Sequence, residues 1–245
     1  MESTLSIQKL FMMAIKMPTV LKNRMQAGEL LAQRMLDYTG RGDVIVLALP
    51  RGGVPVGLAI AKKLAVPLDI LLVHKLGMPG HEEYAIGAIA SSGVCLLQAE
   101  ILSALDLPTT TIEAVAQREL GELKRREKLY RSERPALQLR ERIVILTDDG
   151  MATGSTMLAA VHMVREANPM RLIIAIPVAA PEAYEKLKPE VDEIICLSIP
   201  EPFHTVGRWY ENFEQVSDSE VKSLLDEMSP EQMRPRRSLH TRQRK

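Results

Sequence analysis

Cysteine, aromatic residues and net charge are all in short supply in this chain. Its two cysteines, Cys95 and Cys196, both fall in apolar, strand-like runs, so buried free thiols are expected rather than a bridge, as in a reducing compartment. Two cysteines also provide no zinc-type cluster. Lys plus Arg and Asp plus Glu number 31 each, which leaves no overall field pulling the chain toward nucleic acid or membrane. The N-terminal run Leu10-Phe11-Met12-Met13-Ala14-Ile15 is too short to span a bilayer, is flanked by Lys9 and Lys16, and does not end in a small-residue cleavage site. No internal repeat or long linker interrupts the sequence. With 245 residues, 46% of them hydrophobic, the chain can bury a full core as one large domain or two small ones, and a cytoplasmic location is expected.

What is present centres on Ile143–Thr156. The aliphatic run Ile143-Val144-Ile145-Leu146 reads as a buried strand. It stops at the adjacent carboxylates of Asp148 and Asp149. The small-residue turn Gly150-Met151-Ala152-Thr153-Gly154-Ser155-Thr156 then leads into a helix beginning near Met157. Amide groups at a helix start lack partners and sit at the positive end of the dipole, so they suit a phosphate. Gly154 allows close backbone approach, and Thr153, Ser155 and Thr156 add hydroxyl donors. The two acids are placed to accept from sugar hydroxyls or to stand beside a magnesium ion, directly or through water. Side by side at the end of a buried strand they repel, and one pKa must rise unless a cation or hydroxyl donors compensate. Together these features describe a site for a sugar phosphate. The element is neither a nucleotide P-loop nor a G-x-G-x-x-G turn.

Upstream, apolar spacing predicts a helix over residues 19–38, with Asn23, Arg24, Gln26, Glu29 and Gln33 on its polar face. A buried strand is expected over Val44–Leu49, and the turn Pro50-Arg51-Gly52-Gly53-Val54-Pro55 precedes a helix over Val56–Leu64. Two glycines there let the chain bend and present amides to an anion, and Arg51 can fork onto a phosphate. Pro67–Val73 reads as a second buried strand ending at His74-Lys75. The Gly/Pro-containing polar stretch that follows (Leu76, Gly77, Gly80, His81, Glu82, Glu83) reads as a mobile lid near the phosphate site. Short strands are expected at Ala85–Ala90 and Val94–Leu97. A charged helix over Thr109–Arg131 is expected to bury Ile112, Val115, Ala116, Leu120, Leu123 and Leu129, with Lys124, Arg125, Arg126 and Lys128 on a solvated face. Strands then alternate with helices to about residue 228, so a parallel α/β sheet with ligands at the carboxyl ends of its strands is the expected architecture. Phe203–Tyr210 gathers an unusual share of the few aromatics, and two readings stand: stacking of an acceptor base, or packing of a C-terminal segment on the sheet.

The segment Val144–Thr156 resembles the 5-phosphoribosyl 1-pyrophosphate (PRPP) binding motif of type I phosphoribosyltransferases: aliphatic strand, two acids, and a loop ending Thr-Gly-x-Thr. The likeness extends over roughly residues 20–225. The order Arg-Gly-Gly-x-Pro, Lys-Leu-Gly, Ala-Ile-Gly-Ala and then the acid motif is similar to a bacterial branch known as predicted phosphoribosyltransferases. The resemblance implies a type I phosphoribosyltransferase fold, a mostly parallel twisted sheet flanked by helices with a flexible loop and a small C-terminal hood. It implies a Mg²⁺-dependent transfer of the 5-phosphoribosyl group from PRPP to a nitrogenous acceptor, with release of pyrophosphate. Asp148 and Asp149 would then hold the ribose hydroxyls, and residues 150–156 the 5-phosphate. Arg51, Gly52, Gly53 and Lys75 would hold the pyrophosphate, with a cis peptide in the Arg51–Gly52 region. Residues 76–84 would close over the site. A homodimer is implied by analogy alone. The domain is expected over residues 19–228, with a helical insertion at about 105–131, an N-terminal extension at 1–18 and a basic, disordered tail at 229–245. A competing reading is a non-catalytic protein that keeps the fold, senses PRPP and touches nucleic acid through that tail.

Overall fold

The computed structural model describes residues 20–78, 81–91, 95–97, 109–131 and 137–228. The extension at 1–18, the tail at 229–245 and Gly80 of the expected lid lie outside them.

Five strands form one parallel sheet: β1 (Val44–Ala48), β2 (Leu68–Ile70), β6 (Ile143–Thr147), β7 (Arg171–Val178) and β8 (Glu193–Ser198), in the order β2-β1-β6-β7-β8. Three further strands, β3 (Val73–Met78), β4 (His81–Ala90) and β5 (Cys95–Leu97), make a separate antiparallel sheet. The helices are α1 (Arg24–Gln33), α2 (Gly53–Leu64), α3 (Thr109–Arg131), α4 (Ser155–Glu166), α5 (Pro181–Leu187) and α6 (Asp218–Asp226). None of these is long and apolar enough to cross a membrane.

Strand periodicity divides the core. Val44, Val46, Ile143, Ile145, Ile173 and Ala175 point to one face, under α1, α2, α3 and α6. Ile45, Leu47, Val144, Leu146, Leu172 and Ile174 point to the other, under α4 and α5. Because both faces are covered, the central strands read as unbroken apolar runs, and β1 and β6 are buried at every position. Helix α1 starts where Asn23 accepts from the Gln26 amide (2.9 Å) while the Gln26 side chain accepts from the Lys22 amide (2.7 Å), a reciprocal cap of the kind that fixes a helix entrance. Ser217 caps α6 through the amide of Glu220 at 3.2 Å. The end of α3 is bolted to β2 by Arg131, whose guanidinium takes both oxygens of Asp69 at 3.1 and 3.0 Å and reaches Glu127 at 3.1 Å.

The parallel sheet and its flanking helices follow the pattern expected from sequence, with several local corrections. The apolar run at 67–73 is not one strand. It leaves the parallel sheet after Ile70 and enters the antiparallel sheet at Val73, a change of sheet that hydrophobicity alone does not mark. Lys75 therefore sits within β3, opposite Ala88, rather than at the end of a parallel strand. Leu76 and Gly77 of the expected lid belong to β3, and His81, Glu82 and Glu83 belong to β4; the two strands pair with register shifts around Gly77. Tyr130 and not Leu129 faces the core from α3, leaving Leu129 exposed, and Cys95 is exposed where a buried thiol was expected. Cys196 is half-buried, and its thiol is pushed up to about 11 by burial. Finally, α2 begins at Gly53, three residues earlier than expected.

Thr147, at the end of β6, carries a fully buried hydroxyl without a hydrogen-bond partner among the described residues. Thr147→Val keeps the shape and removes the unsatisfied group, so the urea midpoint should rise by the equivalent of about 1 kcal/mol at unchanged m-value. A fall in midpoint would show that the hydroxyl has an internal partner after all.

Candidate active site

The chain crosses to β2 on one side of β1 and to β6 on the other, so the sheet has its topological switch point between β1 and β6. A crevice opens there at the carboxyl ends of both strands. Arg51-Gly52-Gly53 leave β1 and Asp148-Asp149 leave β6, and the two turns meet. A Cβ at Gly52 would lie 1.9 Å from Oδ2 of Asp149, and one at Gly53 would lie 2.9 Å from Cα of Asp148. Only glycine permits that approach. The cis peptide in this turn is Pro50–Arg51, one bond before the Arg51–Gly52 region.

Beyond the acids, Met151 is pinned to the end of β7. Its amide donates to Val178 O and its carbonyl accepts from the Ala180 amide, each at 2.8 Å. Gly154 then turns the chain at φ 69° into α4, whose N-terminus has no side-chain cap. The loop keeps its hydroxyls at the surface, with Thr153 Oγ1 donating to Ser155 Oγ at 3.2 Å. A cavity of about 190 Å³ is lined by Asp148, residues 150–157 and Val206. The 5-phosphate candidates and Asp148 thus converge on one space. Asp149, Arg51 and Lys75 do not line it. Arg51 instead faces Asp218 at the start of α6, with 3.5 Å between Nη1 and Oδ1, and the same carboxylate oxygen accepts from the Tyr130 hydroxyl at 2.5 Å. His74 pairs with Glu119 of α3 at 3.0 Å.

The two acids have different surroundings. Asp148 accepts from the Asp149 amide at 2.8 Å. Burial, and after it the neighbouring Asp149 charge, pushes its pKa well above the ordinary carboxylate value. Asp149 is also raised by burial, but Arg24 opposes the rise. Nε and Nη2 of Arg24 both reach Asp149 Oδ2 at 2.8 Å. The guanidinium lies 3.8 Å over the Phe213 ring, and Nη1 donates to Glu214 O at 2.7 Å. Tyr210 closes the arrangement: its hydroxyl donates to Asp149 O at 2.6 Å and its ring stacks on Phe213 with centroids 5.0 Å apart. Burial pushes the Tyr210 pKa upward, so it stays a donor.

Sequence reasoning placed Arg24 on the polar face of its helix and left the aromatic cluster open between two readings. The cluster packs: Trp209 donates to Phe203 O at 3.2 Å, and Leu21 and Tyr210 form a bridge that joins the two ends of the domain. A signal for Arg24 did exist. It was a weak one: with Ala27 and Gly28 one turn along α1, Arg24 has no acid within helical reach, which leaves it either solvated or paired with a distant part of the chain.

A family model for the phosphoribosyl transferase domain matches residues 19–211. This chain belongs to that family. The protein named "Putative phosphoribosyl transferase Rv0571c" from Mycobacterium tuberculosis (strain ATCC 25618 / H37Rv) is 40% identical over 204 residues, covering 83% of this chain and 46% of that protein. The chain thus spans about half the length of the curated relatives it matches. The crystal structure of TT1426 from Thermus thermophilus shares 39% sequence identity and superposes with a TM-score of 0.78, covering 86% of this chain and 99% of that one. The family assignment accords with the mostly parallel sheet and with the acid motif at its switch point.

The raised carboxyls of this phosphoribosyl transferase domain have a measurable consequence. Relative to the unfolded chain, whose Asp groups titrate near about 3.9, the folded state holds these protons to higher pH. Their contribution to stability is therefore most favourable below about pH 4 and is lost as pH rises through the raised folded values. Asp148→Asn should raise the melting temperature at pH 7 and leave it almost unchanged at pH 4. Equal effects at both values would contradict the assignment.

Proposed function

We propose that this chain transfers the 5-phosphoribosyl group of PRPP to a nitrogenous acceptor and releases pyrophosphate. One observation carries the reading: a half-buried carboxylate, Asp148, shares a cavity with an uncapped helix N-terminus and a hydroxyl-lined loop at the switch point of a parallel sheet. That pairing fits a sugar at one end and its phosphate at the other.

In this reaction the bond from the anomeric carbon to pyrophosphate oxygen breaks, a bond from that carbon to the acceptor nitrogen forms, and the acceptor gives up a proton. The sugar passes through a state resembling an oxocarbenium ion. The chain's contribution is placement and charge. The α4 amides and the Thr153, Ser155 and Thr156 hydroxyls grip the 5-phosphate. Asp148 accepts from ribose hydroxyl, lends negative charge to the cationic sugar and is the one carboxylate lining the cavity that can take the acceptor's proton. Arg51 and the Gly52 amide meet the pyrophosphate, which requires Arg51 to leave Asp218, while the Gly53 amide is taken by Leu49 O and holds the turn in shape. In the same reading Lys75 neutralises the leaving group, and the segment at 76–84 screens it from water.

Among the described residues no cluster of three or more metal-ligating side chains exists. The acid pair fits magnesium as an ion shared with substrate oxygens, with Asp148, which lines the cavity, as a direct or water-mediated ligand and Asp149 reaching it through water. When bound, magnesium would neutralise the departing pyrophosphate.

The test is pyrophosphate release from PRPP and Mg²⁺ across a panel of nitrogenous bases. Wild-type protein should turn over with at least one base, and Asp148→Asn should lower kcat/KM by about 10²–10³. Turnover unaffected by that change would remove the proposed chemistry.

A further inference from the structure

The resemblance to the family gives both acids the same task, yet their surroundings here differ in kind. Asp148 lines the cavity and Asp149 does not. Both Arg24 contacts fall on Oδ2 of Asp149, whose side chain is 16% exposed, against 11% for Arg24. Arg24 is itself held on a second side by the Phe213 ring and on a third by Glu214 O. The backbone carbonyl of Asp149 is taken by Tyr210, and Tyr210 stacks on the same Phe213. On its remaining flank the Asp149 carboxylate abuts Gly52 in the turn after β1. Asp149 thus meets α1 and the arginine-glycine turn through its carboxylate and the segment at 210–214 through its backbone carbonyl.

We propose that the acid pair is divided: Asp148 alone is presented to the sugar, while Asp149, locked by Arg24, is a positioning residue that backs the Arg51-Gly52 turn. Arg24 is the second half of this device. It fixes the carboxylate against Gly52 and so sets where the turn presents its amides and Arg51. This rests on the proposed function for what the turn binds, but the lock itself is independent of any substrate.

Two measurements on Arg24→Gln, Arg24→Lys, Asp148→Asn, Asp149→Asn and the double variant Arg24→Gln/Asp149→Asn test the proposal. Calorimetry with PRPP and Mg²⁺ should show Asp148→Asn weakening binding by about 100-fold, as for loss of a charged group that touches the ligand. Asp149→Asn, whose amide oxygen still accepts from Arg24, should weaken it by less than about tenfold. Arg24→Gln should weaken binding by about tenfold through misplacement of the turn, Arg24→Lys should recover part of that loss, and the double variant should be no worse than Arg24→Gln. Loss in Asp149→Asn equal to that in Asp148→Asn would overturn the division and return both acids to the sugar. In urea denaturation of the free protein, Arg24→Gln should lower the midpoint, and should lower it by less in the Asp149→Asn background than in wild type. Additive midpoints would overturn the lock. If wild-type protein binds no PRPP, the proposed function fails, and the urea cycle still decides the role of Arg24.

Discussion

Two neighbouring carboxylates at the end of a buried strand are the constraint around which the rest of this molecule is arranged. A charge leaving water costs several kcal/mol unless it is paired. The fold meets that cost asymmetrically. Asp149 is given a guanidinium, drawn from the first residue of α1, while Asp148 receives a backbone amide and an opening to the cavity. Arg24 cannot do this unsupported, so Phe213 and Glu214 hold it, and Tyr210 ties that segment to the acid's own backbone. The pairing of residues 21–22 with residues 209–212 follows from the same need, since it brings helix and aromatic segment to one place.

The sheet supplies the geometry that makes this arrangement useful. The crossover between β1 and β6 leaves their carboxyl ends side by side, with one turn offering amides and an arginine and the other acids, amides and hydroxyls. Both turns are short and are pinned by main-chain bonds: Gly53 to Leu49 at 3.0 Å in the first, Met151 to Val178 at 2.8 Å in the second. Groups fixed in this manner need little rearrangement to face developing charge, which is how a site built on placement gains its effect.

Much of this was legible because it is local. Buried parallel strands announce themselves as aliphatic runs, and Ile143–Thr147 with the acids and small residues after it carries strand, site and helix start in consecutive letters. What was not legible depends on contacts between distant parts of the chain. Arg24 and Asp149 are 125 residues apart, and nothing in α1 names an acid so far away. The path from Ile70 to Val73 reads as continuous strand because both sheets bury apolar residues, and only pairing shows that Lys75 has moved to a second sheet. On α3, by contrast, the repeat was there to be used: Tyr130 lies seven residues after the buried Leu123 and so on its face, while Leu129 is turned away, and only the partner of the Tyr130 hydroxyl, Asp218, needed the fold.

The contact between Gly150 and Val206 reaches beyond this one chain. A Cβ on Gly150 would fall 2.5 Å from a Val206 methyl, so the bare backbone at one position is what lets a branched side chain roof the other. Evolution cannot alter either site freely. Bulk at the first must be matched by loss of bulk at the second or by displacement of the 3₁₀ turn Val206–Trp209 that carries it.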